Sequence, residues 1–186
     1  MSRLKDAFDF MKTKHGIQTR KTGGYYFEHP RRVASYVVMY KDSYQIEDLM
    51  IIALLHDVLE DTTATYEQIR NKFGKMIADT VLEVTSDGEE MALMGGKRLY
   101  LAEKMVNMSS YALVIKLCDR LDNVSDLDPM GADFKKRYIK ETNYILDEID
   151  AHRDVITITH HRLINIIRET LTKYEVPEYN YDDIPF

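Results

Sequence analysis

Residues 49–62 read "LMIIALLHDVLEDT". Leu49 to Leu55 carry no charge, and then His56, Asp57, Glu60 and Asp61 arrive together. From Ile46 to Asp61 the apolar residues lie almost all round a 3.6-residue period, which predicts one continuous, buried helix at the centre of an all-helical domain. Neighbours three and four apart share a face of such a helix, so His56 would stand over Glu60, and Asp57 over Glu60 and Asp61. One imidazole cannot neutralise three carboxylates, and buried charges are costly unless they are paired or hold a metal. The C-terminal end of a helix is also electronegative, which disfavours carboxylates unless a cation lies against them. A plainer reading makes residue 56 the exposed end of the helix, where charges are ordinary.

The rest of the chain reads as helices too. Only four prolines and eight glycines interrupt 186 residues. In "LKDAFDFMKT", Leu4, Ala7, Phe8 and Met11 share a helical face. A turn-rich stretch, "GIQTRKTGGYYFE", leads to "HPRRVASYVVMY", where Pro30 suits a first helical turn. "TYEQIRNKFG" and "KMIADTVLEVTS" are predicted as two helices around Gly74, and 86–96, "SDGEEMALMGG", as a loop serving as a lid or a plain connector. Further helices are predicted in "KRLYLAEKMVN" and "ALVIKLCDRLDNVSDL". A break containing Pro129 and Gly131 follows, then helices over about 133–150 and 152–174. The expected organisation is one domain over 1–175 with an acidic, tyrosine- and proline-containing tail over 176–186, where fraying is expected.

Composition narrows the function. The net charge of −6 offers no dominant basic surface, so nucleic acid and anionic membranes are poor partners. A single cysteine, Cys118, rules out an intrachain disulfide framework and fits a reducing compartment. No stretch has the roughly 18 apolar residues of a membrane span, and the first residues lack the apolar core of a signal peptide. The expectation is a cytoplasmic protein; its oligomeric state is not legible.

Two further segments repeat the opening pattern. "FEHPRRVASYVV" places His29 at the start of an apolar-periodic helix, and "VIKLCDRLDN" places Asp119 after a run broken only by Lys116. His29, His56, Asp57 and Asp119 make a set of two nitrogens and two oxygens, which suits Mn²⁺, Fe²⁺ or Zn²⁺ better than Mg²⁺ or Ca²⁺.

The order H…HD…D resembles that of the HD-domain metal-dependent phosphohydrolases, an all-helical superfamily. "HDVLEDT" resembles the HDxxED motif of alarmone hydrolases, the (p)ppGpp-degrading half of the RelA/SpoT family. "TRKTGGYYFEHPRRVA" is similar to that family's arginine-lysine turn with its tyrosine and histidine-proline. "FGKMIADTVLEVTS", "VIKLCDRLDNVSDL" and "KKRYIKETNYI" resemble its FG…V…VT, KLADRLHN and R…ET segments. The likeness runs from about residue 4 to 146.

The resemblance implies that His29, His56, Asp57 and Asp119 hold one Mn²⁺, and that Glu60 and Asp61 handle the attacking water and the proton transfer. It implies that Arg20 and Lys21 lie against the nucleotide, with Arg20 stacked on guanine, and that Asn123 helps position the base or sugar. Lys97 and Arg98 could reach the phosphates but are read first as a solvated helix start. The implied reaction removes the 3′-pyrophosphate of ppGpp or pppGpp to give GDP or GTP and pyrophosphate, in the stringent response. Because the chain ends soon after this region, a stand-alone small alarmone hydrolase is expected. The alternatives are an HD phosphatase on another nucleotide, such as the 2′-phosphate of NADPH, and a non-catalytic nucleotide-binding HD protein. Asp122 stands where the family usually has histidine or an aromatic residue, and Ser125 replaces a common arginine. The extra carboxylate and the missing cation are expected to loosen specificity for a polyphosphate.

Overall fold

The computed structural model describes residues 2–174. Its helices are α1 (Arg3–His15), α2 (Glu28–Tyr40), α3 (Ile46–Leu55), α4 (Val58–Asp61), α5 (Tyr66–Phe73) and α6 (Lys75–Val84). They continue as α7 (Gly88–Leu93), α8 (Lys97–Asn107), α9 (Ser110–Ser125), α10 (Ala132–His152) and α11 (Ile158–Leu171). Among the described residues no β-strand forms; one isolated antiparallel bridge joins Thr19 and Tyr25. No helix of the described residues is long and apolar enough to cross a membrane. The expected tail over 176–186 lies outside the described residues.

Helix α3 is central because beyond its acidic first turn, Glu47 and Asp48, it has no polar face to give to water. Leu49, Ile51, Ile52, Leu54 and Leu55 are buried, and burying each such side chain contributes about 1.5–3 kcal/mol. Around it pack α1, α2, α6 and α9, while α11 covers the other side of α9 and α8 pairs with α10. Helix α9 is buried along most of its length, including Lys116, Cys118, Arg120 and Asp122. Cys118 is a free thiol in this core, with its pKa pushed up by burial and by Asp119, so it serves packing.

The continuous helix expected over 46–61 breaks at His56–Asp57. The His56 Nδ1 lies 2.7 Å from the Ala53 carbonyl, the acceptor that a continuing helix would offer to the Asp57 N–H. Asp57 then opens α4, its carbonyl accepting from the Asp61 N–H at 2.9 Å. The segment 86–96 also differs from the expected loop, since it holds the short helix α7. Asp87 caps that helix by accepting from the Glu89 and Glu90 N–H groups at 2.9 and 3.0 Å.

Gly74, at φ +97°, makes the turn between α5 and α6. The start of α11 is held by a capping box, in which the Thr157 hydroxyl accepts from the His160 N–H and His160 Nδ1 accepts from the Thr157 N–H. His160 Nε2 lies 3.1 Å from the Ser110 carbonyl, so the neutral ring with its hydrogen on Nε2 satisfies both contacts. His161 is exposed. Burial holds the His160 pKa below the usual 6.5, with Arg153, Lys41 and His161 adding to it against the Ser110 carbonyl. The unfolded chain therefore binds this proton more readily. The stability it contributes is full above the unfolded pKa and falls as pH drops below it. Thermal midpoints measured between about pH 7.5 and 5.5 should fall more for wild type than for His160→Gln; parallel curves would overturn this assignment.

Candidate active site

Three helix ends converge beside α3. His29 enters from the first turn of α2, His56 and Asp57 from the α3–α4 break, and Asp119 from the last half of α9. His29 Nε2 lies 3.2 Å from Asp119 Oδ1 and 3.5 Å from Asp57 Oδ2, while His56 Nε2 lies 3.0 Å from Asp57 Oδ2 and 3.8 Å from Asp119 Oδ1. Consecutive residues inside a helix diverge around the axis, so the break is what allows His56 and Asp57 to aim at one point.

The donor set fits a divalent cation. Ligand atoms of His29, His56 and Asp119 all lie within 4.8 Å of one another, which suits ligands bound at about 2.0–2.2 Å. Among the described residues His56 Nε2 is buried and no group meets it in hydrogen-bond geometry, although Asp57 Oδ2 lies 3.0 Å away. A buried imidazole nitrogen that faces carboxylates without hydrogen-bond geometry is a poor structural device and a good metal ligand.

Electrostatics agree. Burial resists charge on His56, yet Asp57 and Asp119 raise its pKa to about 9. Burial likewise resists charge on His29, and Asp119, Asp122 and Asp57 override it, holding its pKa well above the usual value. Burial opposes ionisation of Asp57, but His56 and His29 hold its carboxyl well below the usual range. Asp119 is buried too and is held low by Lys116 first, then by His29 and His56. The cluster recruits positive charge onto its imidazoles, and a bound cation would supply that charge instead.

These groups open onto a cavity of about 660 Å³, large enough for a nucleotide by the usual range of ligand sites. It is lined by Arg20, Lys21, Lys97, Lys116 and Arg120 among the cations, with Phe134 and Tyr138 on an aromatic wall. Arg20 comes from a small hairpin closed by its N–H donating to the Gly24 carbonyl at 3.2 Å, with positive φ at Gly23 and Gly24. Its guanidinium donates to Asn123 Oδ1 at 3.0 Å and lies 3.4 Å from Asp122 and from Asp126. Asn123 in turn donates to Asp119 Oδ1 at 2.7 Å. A chain of contacts thus runs from the cation cluster to Arg20.

Of the residues singled out from sequence, Arg20, Lys21, His29, Asp57, Glu60, Asp61, Asp119 and Asn123 all line this cavity, and His56 sits directly behind it. Glu60 and Asp61 reach it from α4 rather than from the same helix as His56. Glu60 accepts from the Ser86 N–H at 3.0 Å, which ties the 86–96 segment to the cavity rim. Lys97, read as a solvated helix start, lines the cavity, whereas Arg98 stacks over Tyr144 at 4.7 Å. Asp122 does not face the nucleotide space: it is buried behind His29 and bound by Arg32.

Three residues were missed. Lys116 Nζ lies 3.3 Å from Asp119 Oδ2, and Asp119, Asp57 and Glu60 keep its ammonium charged against burial. Its signal was a lone charge inside an apolar run, rare unless partnered. Tyr26 places its hydroxyl 2.7 Å from both Asp57 Oδ2 and Asp61 Oδ2. Arg120 donates to Glu141 at 3.0 Å and stacks over Tyr138, so the "DRL" and "ET" stretches meet across α9 and α10.

A family model described as an HD domain matches residues 7–157. The chain belongs to the HD domain family. It is 37% identical over 159 residues to a guanosine-3′,5′-bis(diphosphate) 3′-pyrophosphohydrolase of Aquifex aeolicus, covering 81% of this chain and 21% of that protein. It is 33% identical over 160 residues to the bifunctional (p)ppGpp synthase/hydrolase SpoT of Escherichia coli, covering 82% and 22%. The chain thus spans about a fifth of the length of these curated relatives. A solved structure described as a metazoan ortholog of SpoT that hydrolyses ppGpp superposes with a TM-score of 0.70 at 26% identity, over 91% of this chain and 96% of that one.

Proposed function

We propose that this chain is a metal-dependent hydrolase that removes the 3′-pyrophosphate of ppGpp and pppGpp, giving GDP or GTP and pyrophosphate. The observation that carries the reading is a His–His–Asp–Asp donor set, with both histidines buried, opening onto a cavity of nucleotide size whose wall holds five cations. The names borne by its relatives support the substrate. The proposed ligands are His29, His56, Asp57 and Asp119, and the proposed ion is Mn²⁺, which the mixed nitrogen and oxygen donors suit.

Such an ion, when bound, supplies Lewis-acid polarisation of a phosphoryl oxygen and a water of lowered pKa. The chain supplies the rest. Arg20, held by Asn123, presents a planar guanidinium to the base, and Lys21, Lys97 and Lys116 offset the negative charge of the polyphosphate. Asp61 and Glu60 move protons. The Tyr26 hydroxyl has one hydrogen for two carboxylates, so one of them must carry a proton when both contacts are hydrogen bonds. Asp61 is the candidate, because partial desolvation at the cavity rim first and then Asp57 and Glu60 raise its pKa against the Tyr26 hydrogen bond, while Asp57 is held well below the usual range. A carboxyl whose proton is held more tightly than usual, beside a carboxylate that stays ionised, suits general acid–base work.

Residues 1–175 are read as the hydrolase domain, and the cytoplasm as its compartment, in keeping with one buried thiol and a nucleotide substrate. The test is pyrophosphate release from ppGpp with Mn²⁺ and with EDTA, beside phosphate release from NADPH. Mn²⁺-dependent pyrophosphate release is expected, with no turnover of NADPH. Phosphate from NADPH alone would move the substrate assignment to that class, and inactivity on both would discard it.

A further inference from the structure

Asp122 is 1% exposed, and a carboxylate that deep is costly unless every lone pair is engaged. Here they are. Oδ1 accepts from Arg32 Nε at 2.6 Å; Oδ2 accepts from Arg32 at 2.9 Å, lies 2.6 Å from His29 Nδ1 and 3.4 Å from Arg20. Asp122 follows Asp119 by one turn of α9, and Arg32 follows His29 by one turn of α2. The two helices therefore face each other with matched pairs, and the His29 ring is gripped at both nitrogens by α9: Nε2 near Asp119, Nδ1 at Asp122.

We propose that Asp122, with its charge compensated by Arg32, is a positioning residue that holds the hydrogen of His29 on Nδ1 and leaves the Nε2 lone pair facing Asp57 and Asp119 for the metal. This inference rests on the metal reading above. It also accounts for one departure from the resembling family, the carboxylate that takes the place of histidine or an aromatic at 122. The shared Oδ2 links the same device to Arg20, so the metal ligand and the base-binding arginine are placed by one carboxylate.

The test is Mn²⁺ affinity by calorimetry for wild type, Asp122→Asn and Asp122→Ala, with far-UV circular dichroism to check the fold. Removing such outer partners weakens metal binding by about 10–100-fold, and that loss is expected for Asp122→Ala. Asp122→Asn, which still accepts from Nδ1, should lose less. In the Zn²⁺-loaded wild type, long-range ¹H–¹⁵N correlation should place the His29 hydrogen on Nδ1, a readout that needs no variant to fold. A folded Asp122→Ala with wild-type affinity, or a His29 hydrogen on Nε2, would overturn the proposal. A wild type that takes up no divalent ion would overturn the metal reading itself, a result distinct from the other two.

Discussion

Replacing Asp119 by asparagine is expected to cut pyrophosphate release from ppGpp by roughly 10³-fold or more, because a metal's charge stabilisation is worth several kcal/mol and each 1.36 kcal/mol is tenfold in rate. Asparagine keeps the shape and can keep the contact with Asn123, which donates to Oδ1 at 2.7 Å. It removes the charge that faces His29, His56 and Lys116. Lys116 is buried and would then lack its nearest carboxylate, so some loss of stability should accompany the loss of activity. Calorimetry separates the two effects: a folded variant without Mn²⁺ uptake supports the ligand role. A folded variant with wild-type uptake and turnover would remove Asp119 from the site.

The double substitution Glu60→Ala, Asp61→Ala should lower kcat by about 10²–10⁴-fold, the usual contribution of positioned acids and bases. Mn²⁺ affinity should change little. Both residues are exposed on α4 and outside the buried donor set, so the fold has little reason to depend on them. Their losses are local: the Ser86 N–H loses its Glu60 acceptor and the Tyr26 hydroxyl loses Asp61. Single variants apportion the effect. If Asp61 is the proton carrier, Asp61→Asn should account for most of the loss, and Glu60→Gln should mainly loosen the 86–96 segment. Turnover at the wild-type rate in the double variant would end the acid–base assignment.

These two outcomes rest on residues legible in the chain before any folding. His29, His56, Asp57 and Asp119 stood out because each follows or opens an apolar helical run, where a polar side chain needs a reason. Asn123 and Asp119 share a face of α9 by the i,i+4 spacing, and the structure brings them to 2.7 Å. Periodicity of this kind is local, so it survives in the sequence.

What escaped the sequence is non-local or depends on a break in local order. The His56–Asp57 turn could not be read because the apolar pattern continues through it; the His56 ring engages the Ala53 carbonyl at that point. The short helix α7 escaped because its glycines and acids look like loop until Asp87 caps it. Asp122 looked like a misplaced charge beside the nucleotide because its partner Arg32 lies ninety residues away. Tyr26 bridges Asp57 and Asp61 across 31 and 35 positions, and no spacing rule relates them. The sequence by itself therefore determined most of the helices, the buried run and the candidate metal donors, since these follow from hydrophobic period and residue chemistry. Only the tertiary structure decided which side chains the donors meet, because a hydrogen bond requires about 3 Å of closeness between groups that the chain order leaves far apart.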